Sequence, residues 1–209
     1  MAAGIEKTAM ESRTVAGAGF ADPVHDAQAV FRAVLAAMSR PGVAQALHPR
    51  LEPPAPLSPA MTALALTLLD QDVSLWLSPT LEVPAVRTYL AFHTGARRTD
   101  KSQSATFVLC KSPAEIPPIE FLAQGTPDYP DRSATVIVDV SQAPEMRVGA
   151  ILSGPGIEHP IECALPGFGR TLWRQLQANH AAYPLGVDLI VCTAQGVLGL
   201  PRSTKIEVA

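Results

Sequence analysis

The chain has 209 residues, 47% of them apolar and 17% charged, with a formal net charge of -3. That length suits one domain with a sizeable core, and the acidic balance excludes the basic face that nucleic-acid binding needs. The low charged fraction points instead to surface covered by a partner protein.

No stretch reaches the roughly 18 to 20 uninterrupted apolar residues of a membrane span, so no membrane association is expected. Cys110, Cys163 and Cys192 are odd in number, far apart and set in apolar stretches. They read as buried thiols of a cytoplasmic, reducing compartment. Residues 1–19 lack an apolar core or an arginine-rich pattern and read as a disordered arm, leaving 20–209 as a single domain.

Asp22-Pro23 opens the first helix, a carboxylate cap followed by a proline whose missing donor costs nothing there. Val24, Gln28, Phe31, Leu35 and Met38 form its apolar face, with Val30 and Val34 beside them, and Arg40-Pro41-Gly42 ends it. A short strand at 43–47 and a proline-rich connector follow. Ser58-Pro59 then opens a helix that is apolar almost all round and so is sandwiched between other elements. Strand 73–77, helix 83–93 and strand 106–110 continue the alternation.

After a turn-rich loop at 111–133, with a short helix near 119–123, the β-branched run 134–140 is the strongest strand and belongs at the centre of the sheet. Strands 147–152 and 161–165 pair antiparallel around Ser153-Gly154-Pro155-Gly156. A helix at 167–181 precedes three strands, 187–192, 196–200 and 205–208, read as a meander. The fold class is α/β, a three-layer α/β/α arrangement with a mixed central sheet and helices on both faces.

Motifs for chemistry are weak. Around Ser153 the first glycine of a nucleophile elbow is missing, and a phosphate loop would need a lysine and the N–H that Pro155 lacks. A structural hairpin turn is the better reading, with Glu158 and His159 on a solvated rim. The five histidines show no ligand spacing, so no metal is expected. Lys205 sits in an edge strand more plausibly than in a pyridoxal phosphate site, and no cofactor is expected.

Two groups of residues are candidates for a ligand. His93 precedes Gly95 and the pair Arg97 and Arg98, where cations suit a helix C-terminus but forked guanidiniums also suit an anion. The loop 124–133, with Asp128, Asp131 and Arg132, enters the central strand and is a candidate interaction surface, although turns and caps explain its acids. Arg202 completes the set of arginines.

Several stretches taken in order carry a resemblance. They are Gly19-Phe20-Ala21-Asp22-Pro23-Val24-His25, Met38-Ser39-Arg40-Pro41-Gly42, Phe92-His93-Thr94-Gly95-Ala96, Leu152-Ser153-Gly154-Pro155-Gly156, Tyr183-Pro184-Leu185-Gly186-Val187-Asp188 and Leu200-Pro201-Arg202-Ser203-Thr204. Together they resemble the PhnH family, the H subunit of the bacterial carbon-phosphorus lyase system. The resemblance implies a fold like that of pyridoxal phosphate-dependent transferases without the cofactor. It also implies a homodimer when isolated and a core complex with the G, I and J subunits. The complex transfers an alkylphosphonate onto the ribose C1 of ATP with release of adenine. A scaffold or partner subunit is the leading expectation. The alternative is an enzymatic or binding subunit in which Arg97, Arg98, Arg132 and Arg202, with His93, hold ATP or the phosphonate.

Overall fold

Asp22 accepts a hydrogen bond from the backbone N–H of His25 at 3.2 Å, and this cap starts helix α1, Pro23–Ser39. The structure, a computed structural model, describes residues 17–145 and 148–208. The arm assigned to 1–19 therefore lies outside the described residues up to position 16. Residues 17–19 lie against a later helix. Helix α2, Pro59–Leu68, is capped by Ser58 and buried through Met61, Thr62, Ala63, Leu64 and Ala65. Helix α3, Pro84–Thr94, stops at Gly95, whose φ of 69° is the left-handed turn that glycine adopts without a Cβ penalty. Helix α4 spans Arg170–Ala181.

The main sheet has seven strands in the order β1 (Gln45–Ala46), β9 (Gly196–Leu200), β8 (Asp188–Cys192), β5 (Thr135–Asp139), β4 (Phe107–Cys110), β2 (Ser74–Leu77) and β3 (Arg97–Arg98). Strands β3, β2, β4, β5 and β8 run parallel, and β9 alone is reversed, antiparallel to both β8 and β1. The sheet is thus mixed, and β5 stands in the middle of it. Alternating side chains feed two cores. Leu109, Ile137 and Ile190 meet α1, α2 and α3. Val108, Val136, Val138, Leu189 and Val191 meet the other layer.

That other layer corrects two expectations. Among the described residues it holds one α-helix, α4, and the short 3-10 helix Ile119–Phe121, together with a separate three-stranded antiparallel sheet in the order β10 (Lys205–Val208), β6 (Gly149–Ser153) and β7 (Ile161–Ala164). The face is not covered by helices alone, and the chain does not end as a three-strand meander. The reason lies in β9, whose outer edge is already paired with β1, so the last strand has no edge to join there. It crosses to β6 instead. Trp173 locks α4 to this layer by donating its indole N–H to the carbonyl of Val148 at 2.9 Å. The strand expected from 147 has its first residue outside the described ones.

A third correction concerns α1. Its sheet-facing side is Val30, Val34 and Ala37, while Val24, Phe31 and Leu35 are 76%, 46% and 53% exposed. The helix is rotated because its small residues lie directly on the reversed strand. A Cβ added at Gly199 would come within 2.7 Å of the Ala37 carbonyl oxygen, so only glycine there allows the approach.

Candidate functional site

Open parallel sheets present ligands at the carboxyl ends of their strands. Here the ends of β4 and β5 carry a buried ion pair, with Lys111 Nζ 2.9 Å from Asp139 Oδ2 and the Asp139 side chain only 1% exposed. Burial pushes the Asp139 carboxyl up. Hydrogen bonds from Ser141, Lys111 and Ser58 outweigh that and hold it below the usual range. Ser78, at the end of β2, donates its backbone N–H to Leu109 and accepts the Lys111 N–H on its hydroxyl, tying the two strand ends together. Nearby, Thr80 donates to Glu115 Oε1 at 2.5 Å.

The three thiols, Cys110 and Cys192 at the ends of main-sheet strands and Cys163 in β7, are inert. Burial raises Cys110 and, with the Asp139 charge, Cys192 well above the ordinary value, while Cys163 is pushed up to about 11 by burial. None is a thiolate at neutral pH, so none is a nucleophile. The sequence reading passed over Lys111 and Asp139. Their signal was available, since each stands at the close of an apolar strand where the chain must surface.

The arginine candidates sit elsewhere. The loop 124–133 and Arg202 lie at the amino ends of β5 and β8, opposite the edge that such sheets use for ligands. Arg202 is committed to the protein. Its guanidinium pairs with Asp188 through Nη2 at 2.6 Å and Nε at 3.2 Å, donates to the Pro130 carbonyl at 2.7 Å, and also meets the Ser133 hydroxyl. With its charge answered and its fork filled, Arg202 is a clamp between loops and not an open anion site. Arg132 lies over the Tyr129 ring, 4.0 Å from its centroid.

Arg97 and Arg98 form β3, an exposed edge strand, and Arg98 Nη1 meets Asp100 at 2.5 Å and Glu82 at 3.3 Å. Three strand spacings, about 14 Å, separate β3 from β5, so the arginines are not gathered into one site. His93 is occupied too. Its Nε2–H donates to the Gly17 carbonyl at 3.1 Å, and its ring lies 4.4 Å from that of Tyr89, which itself donates to the Ala18 carbonyl.

Two concavities stand out among the described residues. A cleft of about 1020 Å³ runs beside His93 and is lined by residues 17–21 with Arg50, Leu51 and Glu52. A groove of about 420 Å³ follows α4, floored by Ile119, Ala178 and Ala182 and rimmed by Glu120 and Arg174. Among the described residues, no three His, Cys, Asp or Glu side chains gather to hold a metal ion, and no helix is long and apolar enough to cross a membrane.

The turn at Ser153-Gly154-Pro155-Gly156 joins β6 to β7, as its spacing implied. Gly154 and Gly156 have φ of 115° and 81°, and Gly156 lies against the Ser39 carbonyl at the end of α1. Glu158 and His159 are exposed.

The profile of the bacterial phosphonate metabolism protein PhnH matches residues 18–207. The chain belongs to the PhnH family. Over 200 residues it is 42% identical to the alpha-D-ribose 1-methylphosphonate 5-triphosphate synthase subunit PhnH of Rhizobium meliloti, covering 94% of this chain and 98% of that protein. It is also 37% identical over 87 residues to HtxG of Stutzerimonas stutzeri, a protein named for the C-P lyase system, covering 40% and 43% of the two chains. The PhnH match begins at Ala18, within the segment that Tyr89 and His93 hold against α3.

Proposed function

We propose that this protein is a PhnH subunit of a carbon-phosphorus lyase complex, required for transfer of an alkylphosphonate onto the ribose C1 of ATP with release of adenine. The observation that carries this reading is the 42% identity to a named synthase subunit across nearly the whole of both chains. The role is that of a scaffold and partner. Its Arg202 is spent on Asp188, its Lys111 on Asp139, and its thiols are buried, which suits a chain that leaves the bond-making to other subunits.

The same reading places the protein in the cytoplasm, as a homodimer when isolated and with G, I and J subunits in the assembled transferase and lyase machinery. It treats residues 20–209 as one domain and takes the fold as a cofactor-free relative of the pyridoxal phosphate-dependent transferases. An absorbance change on adding pyridoxal phosphate would count against it.

The test is reconstitution. Partner subunits mixed with ATP and methylphosphonate should release adenine only when this chain is present. Undiminished release in its absence overturns the proposal. A second reading, ligand binding by this chain, is favoured by Arg97, an exposed arginine on the edge strand β3. It requires that the isolated protein bind ATP or methylphosphonate in calorimetry and that Arg97→Ala or Arg132→Ala weaken the binding. No heat of binding from either ligand would end it.

A further inference from the structure

Two glutamine side chains line the groove along α4, and each is pinned at one end. The Gln124 amide nitrogen donates to the carbonyls of Ile119 and Leu122 at 2.7 and 2.9 Å, and the Gln175 side-chain oxygen accepts the Ile119 N–H at 2.9 Å. A carbonyl only accepts and an N–H only donates, so neither amide can be turned over. The side-chain oxygen of Gln124 and the nitrogen of Gln175 are left with no protein partner among the described residues. The groove therefore carries one fixed acceptor and one fixed donor beside an apolar floor of Ile119, Ala178 and Ala182.

We propose that this groove takes an extended peptide segment of a partner protein, with an apolar side chain on the floor and a single acidic residue at Arg174. The partner is another subunit of the complex, so this rests on the reading above and adds the surface and the chemistry of what it holds.

The amide pair is the first reason for this occupant. A donor and an acceptor together match the two polar groups of a peptide backbone, and pinning both beforehand lowers the cost of ordering them on binding. Length is the second. The lining runs from Thr171, in the first turn of α4, to Ala182, just past its end, about 16 Å along the axis and room for about five residues of extended chain.

Charge is the third. Arg174 stands on one rim with no carboxylate partner among the described residues, α4 carries no acid, and Glu120 stands on the other rim. One cation facing one anion suits a segment with a lone acid and repels a polyanion, so a nucleoside triphosphate is a poor occupant. Phe121 and Tyr183 follow Glu120 and Ala182 in the chain and are 58% and 59% exposed, aromatic surface of the kind that interfaces cover.

The experiment is NMR on the isolated full-length protein, isotope-labelled and titrated with an end-blocked alanine pentapeptide carrying one leucine and one aspartate. Binding in the millimolar range or tighter should shift the side-chain amide signals of Gln124 and Gln175 and the backbone signals of α4. Asparagine in place of the peptide's aspartate should weaken binding severalfold. Arg174→Glu should reverse that preference, favouring a lysine there instead. Gln175→Glu keeps the acceptor for the Ile119 N–H and removes the donor, and Ala178→Trp fills the floor from an exposed position. Each should weaken the uncharged asparagine peptide about tenfold while circular dichroism and melting temperature stay unchanged. No shift, or shifts confined to residues outside the groove, would overturn the proposal. So would adenosine monophosphate moving the same amides, since the groove would then be a nucleobase site. In the reconstituted complex Ala178→Trp should fail to support adenine release, and full release with it would also sink the idea. Release that needs no copy of this chain removes the functional reading and leaves the peptide result standing, so the two fail separately.

Discussion

Arg202 shows how a residue attractive in sequence can be structural. Its guanidinium joins the start of β8, through Asp188, to the loop before β5, through Pro130 and Ser133. Arg202→Ala strands a carboxylate that is only 21% exposed and should cost about 3 kcal/mol in urea unfolding. Arg202→Lys should recover little of that, since an ammonium cannot span the fork. The pairing was legible in principle, because Asp188 and Arg202 flank the β8–β9 hairpin. What concealed it was the contribution of Pro130 and Ser133, which only the tertiary fold brings there. Asp139 gives a second prediction. Its pKa is lowered on folding, so it contributes stability above about pH 4 that is lost as pH falls through its folded value. The urea midpoint of wild type should therefore drop toward that of Asp139→Asn as acid is added. A difference between the two that does not change with pH would show that Asp139 is not linked to folding.

Among the elements, caps and strands were readable and faces were not. Asp22-Pro23, Ser58-Pro59 and Gly95 set helix ends by local hydrogen bonding and backbone preference, which sequence reports directly. The buried face of α1 depends on a distant glycine, Gly199, and the larger side chains drew the reading to the wrong side. The fate of β10 likewise depends on whether β9 has a free edge, which the two-residue strand β1 decides. The turn between β6 and β7 reads as a structural hairpin in the sequence, and the structure shows what holds it. At Gly156 a side chain would need a left-handed backbone and would collide with the Ser39 carbonyl. Gly156→Ala should lower stability by at least about 2 kcal/mol in chemical denaturation, more than the same change at Gly149, where φ is unstrained and the nearest atom is the end of the Glu162 side chain.

For the whole molecule, the layered sheet sets a gradient of protection. Strands β4, β5 and β8 are paired on both sides and covered on both faces, so their amides should exchange slowest with deuterium. The two-residue strands β1 and β3, at the rims, should exchange first. Equal rates across the sheet would contradict this architecture. The topology has a kinetic consequence as well. Strands β5 and β8 are neighbours in space, yet β6, β7 and α4 intervene between them along the chain. The central pair of the sheet cannot zip up locally. It must wait until that excursion has folded back on itself, because a loose loop of that length makes the ends slow to meet. Mutations that loosen the β6–β7 hairpin should then appear in stopped-flow refolding as slower folding, although the damage lies outside the main sheet.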